Sequence, residues 1–93
     1  MYISYMSFNV KPEQTQYFIE KVQELAIFAR TMPGCLAFRL LQNTGNSHEL
    51  MLHEEWQDKS YADSFKQTHE RLAAVKSLVD TFHGNPTIKE FQV

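Results

Sequence analysis

Between Met6 and Val10 every second residue is apolar, from Phe18 to Met32 the apolar residues fall three and four apart, and after Pro33-Gly34 the spacing returns to two. A chain that changes period in this way must mix strands and helices. Period two puts alternate side chains on one face of a strand, and period 3.6 puts them on one stripe of a helix. In the first segment, residues 2–10, Met6, Phe8 and Val10 share one side while Ser7 and Asn9 take the other, as a half-buried strand requires. "KPEQ" ends the alternation: Pro12 suits a first helical turn and Glu13 favours the positive end of the helix dipole. Phe18, Val22, Leu25, Ala29 and Met32 then mark one amphipathic helix of about five turns, stopped by Pro33-Gly34.

A second strand carries Leu36, Phe38 and Leu40 on one face and Ala37 and Arg39 on the other. "NTGNS", Asn43 to Ser47, is a glycine-centred turn of hairpin length leading into a third strand, residues 48–56. Here Leu50, Leu52, Glu54 and Trp56 share one face, and Glu49, Met51, His53 and Glu55 the other, so both faces carry polar groups. Asp58 or Ser60 can cap the next helix, whose apolar positions are Tyr61, Phe65, Leu72, Val75, Val79 and Phe82. One helix of about six turns fits this stripe, and two shorter helices broken near His69 also fit. "HGNP", His83 to Pro86, is a stop signal, after which "TIKEFQV" reads as a last strand. The expected order is β-α-β-β-α-β. It is the ferredoxin-like α+β plan, an antiparallel sheet with helices on one face, in a single domain over residues 1–93.

A domain of 93 residues buries a modest core, and a plan with helices on one face leaves the other face of the sheet to be covered. A second copy of the sheet is the simplest cover, so the expected assembly is a homodimer. Nine basic against eleven acidic residues, with no basic run, leave no electrostatic footprint for nucleic acid. No apolar run approaches membrane-spanning length, and "MYISYMSFNV" lacks the layout of a signal peptide, which makes the cytoplasm the expected compartment. Cys35, the only cysteine, reads as a small buried hydrophobe and suits a reducing compartment.

Two features of the third strand and the second helical stripe carry possible chemistry. His69 lies four residues after Phe65 and three before Leu72, so on one continuous helix it points where the apolar residues point. Across from it would stand Glu54 and Trp56. A carboxylate near an imidazole raises its basicity and an aromatic wall excludes water, which together make a general base in a pocket. The plainer alternative is a core histidine satisfied by one hydrogen bond, with Trp56 a core residue and Glu54 its partner or that of Arg39. His48 and His53 fall on opposite sides of a strand, and no H-E-x-x-H or paired-cysteine spacing occurs, so no metal site is expected. Neither a nucleophile elbow nor a glycine-rich dinucleotide or phosphate loop is present.

Over nearly its whole length the chain resembles the antibiotic biosynthesis monooxygenase family of small dimeric α/β barrels. The resemblance rests on "FNVKPEQ" at the end of the first strand, "MPGCLAFRL" at the helix stop, "LMLHEEWQDKSYADSF" with its Glu54-x-Trp56, and the closing "QTHERL". The family pattern places two histidines after Glu-x-Trp; this chain has Phe65 at the first position and His69 one residue before the second.

The resemblance implies a dimer whose sheets pack into a barrel, with a pocket in each subunit between sheet and helices. It also implies a monooxygenase that oxidises a small aromatic, a quinol or an anthrone-like compound, with O₂ and no cofactor. On that reading His69 is the base, Glu54 its orienting partner, and Trp56, Tyr61 and Phe65 the pocket walls. Other relatives imply other chemistry. Isomerisation of a phosphorylated autoinducer-2 sugar would need a phosphate contact, for which Arg39 is the candidate substrate-binding cation. Haem degradation uses an Asn in the first strand with a Trp and a His on the later helix; here Asn9 stands alone near the end of the first strand, and the later helix lacks Trp. A non-catalytic, stress-linked ligand-binding barrel is the remaining alternative.

Overall fold

The computed structural model describes all residues 1–93. Four strands, β1 (Tyr2–Val10), β2 (Cys35–Asn43), β3 (Asn46–Trp56) and β4 (Phe82–Gln92), form one antiparallel sheet in the order β2-β3-β1-β4. Three α-helices, α1 (Thr15–Ala29), α2 (Lys59–Lys66) and α3 (His69–Leu78), pack on one face. The fold is ferredoxin-like, with the second helical segment divided in two, and its sheet is open rather than closed into a barrel.

Register decides what the helices meet. Tyr2, Ser4, Met6 and Phe8 of β1 pair with Trp56, Glu54, Leu52 and Leu50 of β3, so these eight side chains share the helix-facing side. On β2, Phe38 stands beside Glu54 and Leu40 beside Leu52. From above, α1 lays Phe18, Val22, Leu25, Ala26 and Ala29 onto this surface, all buried. Phe8 meets Phe18 edge-on at 5.0 Å between ring centroids and Phe82 at 5.2 Å, so strand, helix and edge strand close on one ring.

Local sequence places the ends of these elements. Pro12 opens a short 3₁₀ turn, Pro12–Gln14, before α1 begins at Thr15, so α1 is shorter than its apolar spacing suggested and Met32 lies in the following turn. The Asp58 carboxylate accepts from the Ser60 amide and caps α2. Thr68 then interrupts the stripe. Its backbone is extended, at φ −68° and ψ 149°, and its hydroxyl accepts from the Arg71 amide at 3.3 Å, capping a new helix. The two-helix alternative is therefore the one the chain adopts.

Nor does "HGNP" end an element: it lies within β4. Asn9 pairs with His83 and Ser7 with Thr87, so the single residue Phe8 is spanned by Gly84, Asn85 and Pro86. Gly84 takes φ +63°, which lets the strand bulge at this point and resume. Phe82, expected at the end of a helix, is a β4 residue instead.

Gly34 shows how the turn after α1 is fixed. It holds φ +79°, and the Tyr61 ring lies against its Cα so closely that an added Cβ would overlap ring carbons. Gly34→Ala is expected to destabilise the domain by about 1–3 kcal/mol, read as a drop in Tm. Gly34→Ala/Tyr61→Ala should recover part of that loss by removing the overlap and leaving only the backbone strain. An unchanged Tm in the single variant would contradict this account of the turn.

Candidate active site

Between the sheet and the helices lies a cavity of about 320 Å³ whose floor and walls are almost wholly apolar. Met6, Phe8, Leu52 and Phe38 rise from the sheet, Val22 and Leu25 descend from α1, and Phe65 comes from α2. The remaining wall is α3, with Arg71, Ala74, Val75 and Leu78, its C-cap Val79, and β4, with Phe82, Ile88 and the bulge residues Asn85 and Pro86. Its volume falls at the lower end of the range for pockets that hold small organic molecules.

One carboxylate is set into this surface. Glu54 alternates with Leu52 and Trp56 on β3, so the strand period that buries its neighbours also aims it toward the helices, and only 7% of it remains exposed. The Trp56 indole donates its Nε1–H to Glu54 Oε1 at 3.0 Å. No buried side-chain oxygen in the chain lacks a partner, and Glu54 makes no other hydrogen bond, so Oε2 is the oxygen left open to the cavity. Burial raises the Glu54 pKa above the usual carboxylate range, and the Trp56 hydrogen bond with the positive charges of Arg71 and Lys66 offsets part of that rise. The result is an acid that can hold its proton at higher pH than a surface glutamate and whose free oxygen faces an apolar space.

Trp56 stands behind Glu54 rather than in the cavity wall. It is fully buried and packs on Phe65 at 5.3 Å between ring centroids, while Phe65 meets Phe38 edge-on at 5.5 Å. The indole therefore fixes the carboxylate and is itself fixed by the aromatic side chain that lines the cavity.

The structure brings Glu54, Trp56 and Phe65 together and separates the other expected residues from them. His69 is exposed at the start of α3, on a shallow groove beside Lys21, Glu24 and Phe28 of α1, and does not reach Glu54. The reason is Thr68: its extended backbone resets the helical phase, so the four-residue spacing from Phe65 no longer puts His69 on the same face. Tyr61 covers Gly34 near the surface and forms no part of the cavity wall.

Arg39 projects from the opposite face of the sheet, because it alternates with Phe38. There its Nη2 donates to His53 Nδ1 at 3.2 Å. A guanidinium cannot accept, so Nδ1 is the unprotonated ring nitrogen and Nε2, 3.2 Å from Glu55 Oε2, carries the hydrogen. His53 is stacked on Tyr5 at 4.9 Å and buried.

Arg71, the cation that does face the cavity, was not among the expected residues. A signal for it exists: three residues after Thr68 it stands on the same arc as Ala74, Val75 and Leu78, a charge inside an apolar stripe. Cys35 is partly buried, and desolvation pushes its thiol pKa up, away from the range of reactive thiols. No group of three or more His, Cys, Asp or Glu side chains is arranged to hold a metal ion. No helix is long and apolar enough to cross a membrane.

The family model described as antibiotic biosynthesis monooxygenase matches residues 1–77. A Nitrosomonas europaea protein whose name makes it a candidate antibiotic biosynthesis monooxygenase superposes with a TM-score of 0.96 at 20% identity, over 100% of this chain and 98% of that one. A conserved protein from Methanosarcina mazei superposes at 0.92 with 22% identity, over 99% and 92%. A Bacteroides thetaiotaomicron protein of unknown function, described as a possible oxidoreductase, superposes at 0.89 with 18% identity, over 99% and 97%. No curated protein matches the sequence. At such identities the superpositions establish the fold.

The raised pKa of Glu54 has a consequence for stability. Its folded pKa lies above its unfolded one, so the folded state binds the extra proton between the two values. The stability this confers is fully present below the unfolded pKa and is lost as pH rises through the folded one. Urea titrations across that window should show wild-type stability declining with pH, with a shallower decline in Glu54→Gln. Identical slopes would place the titrating group elsewhere.

Proposed function

Because the chain belongs to the antibiotic biosynthesis monooxygenase family, we propose that the Glu54 cavity binds a small electron-rich aromatic, a quinol or anthrone-like compound, and that the protein oxidises it with O₂ without a prosthetic group. The observation that carries this reading is a single carboxylate of raised pKa with one oxygen open to an apolar cavity. Glu54 is the general base, and His69, which lies outside the cavity, takes no part. Arg71 also lines the cavity, and its charge is available to the oxyanion that forms when the substrate loses its proton.

With an anthrone-like substrate, a C–H proton passes to Glu54, and the resulting carbanion gives one electron to O₂. The radical pair joins in a C–O bond, and the peroxide takes back the proton from Glu54. A second C–H proton then goes to Glu54 while the O–O bond breaks, and the departing hydroxide leaves with that proton as water. The net change is CH₂ and O₂ to C=O and H₂O. The substrate carbanion is itself the reductant of O₂, so the protein supplies a base, a counter-charge and a dry enclosure. Trp56 is a positioning residue, which holds Glu54 through Oε1 so that Oε2 faces the substrate.

The second part of the proposal is a homodimer formed through the open face of the sheet. Tyr5, His53 and Phe91 make an aromatic cluster there, with Phe91 edge-on to Tyr5 at 6.0 Å and half exposed, and Leu41 adds further apolar surface. Such a face is well matched by a second copy of itself.

Oxygen uptake on a panel of naphthohydroquinones and anthrones, corrected for autoxidation, tests the reaction. Glu54→Gln should lose about 10²–10⁴-fold in rate, while His69→Ala retains turnover. In wild type, kcat/KM should fall as pH drops through the raised Glu54 pKa, because the base must be unprotonated. No uptake on any member, with quinone binding intact, would favour the ligand-binding alternative. Light scattering tests the assembly. Wild type should have twice the 10.9 kDa protomer mass, and Phe91→Asp should shift it toward the monomer.

A further inference from the structure

The cavity does not end where the ring of a small quinol would. Val75, Val79 and Ile88 line it and are also 45%, 55% and 52% exposed, so each belongs half to the interior and half to the surface. Leu72, one turn before Val75 on α3, extends the same strip outward and is 54% exposed. At about 100° per residue the apolar arc of α3 runs from Ala74 through Leu78, Val75 and Val79 to Leu72 and spans about 160°. The inner side of that arc meets the core, with Leu78 buried. The outer side forms one lip of the opening, and Ile88 with Pro86 of the β4 bulge forms the other.

Taking the Glu54 cavity as the substrate site, we infer that this lip is a subsite for an apolar tail, and that the substrate is an aromatic carrying an alkyl or prenyl chain that leaves the cavity between α3 and β4. The deep part of the cavity, with Glu54 and Phe65, receives the ring. The tail lies along Val75, Val79 and Leu72 on one side and Ile88 on the other, and removes their exposed surface from water. A protein partner seated on the lip would close this opening against the substrate, whereas a tail covers it only while substrate is bound. The sheet face proposed for dimerisation lies on the side away from α3 and leaves the lip uncovered.

Anaerobic binding of 2-alkyl-1,4-naphthoquinones of increasing chain length, followed by quenching of the single tryptophan behind Glu54, tests the inference. In wild type, Kd should fall roughly two- to fourfold per added methylene until the lip is covered. Leu72→Ser/Val79→Ser, at two half-exposed positions where folding should tolerate the change, should flatten that dependence. A chain-length effect confined to wild type supports the subsite even if no quinol of the series consumes O₂, which would count against the proposed reaction alone. A Kd independent of chain length in wild type overturns the inference, as does a dependence that survives in the double variant. A change of oligomeric mass in the double variant would likewise overturn it, by assigning the lip to a second copy of the chain.

Discussion

A carboxylate in an apolar cavity costs free energy, and the hydrogen bond from the Trp56 indole to Glu54 is the one direct contact that offsets it. Much of the surrounding structure follows from supporting that contact. The indole sits one strand period beyond Glu54, held by Phe65 from α2, and Phe65 in turn is held by Phe38 from β2. Truncating Phe65 would therefore disturb more than packing, because the chain from α2 to Glu54 Oε1 passes through it. Because Trp56 takes up only one of the two oxygens, the carboxylate is fixed in place without being fully satisfied. A purely structural acid would be expected to find partners for both.

The alternation of polar and apolar residues gives the two faces of the sheet separate tasks. On the helix side the row Phe38, Glu54 and Ser4 crosses β2, β3 and β1 and places the acid between an aromatic ring and a small hydroxyl. On the far side the adjacent residues Arg39, His53 and Tyr5 form a polar and aromatic row. Neighbouring residues on one strand thus never meet, and the two clusters are insulated by the sheet itself. Across the sheet they remain linked only through the backbone that positions both.

Strand periods were the most legible part of the sequence, since alternation is a direct consequence of pleating and needs no knowledge of the rest of the chain. The four strands and the anomalous burial of Glu54 beside Trp56 could be read in this way. Helical phase was less legible. It propagates only while the backbone stays helical, and the single extended residue Thr68 is enough to turn His69 outward and bring Arg71 inward. A threonine three residues before an arginine is a possible cap, but "KQTHERL" is equally at home within a helix by composition. "HGNP" misled for a related reason: glycine and proline mark a departure from regular pairing, and both a chain stop and a bulge satisfy that description. Which of the two occurs depends on β1, more than seventy residues away.

That bulge separates two properties that strand pairing ordinarily ties together. Register from Thr87 onward is set against β1 independently of how many residues loop out between His83 and Thr87. Asn85 and Pro86 stand at the edge of the cavity, so lengthening or shortening this loop would widen or narrow the aperture while every later rung of the ladder kept its partner. Evolution could thus resize the entrance by insertion and deletion alone, leaving the scaffold that holds Glu54 untouched.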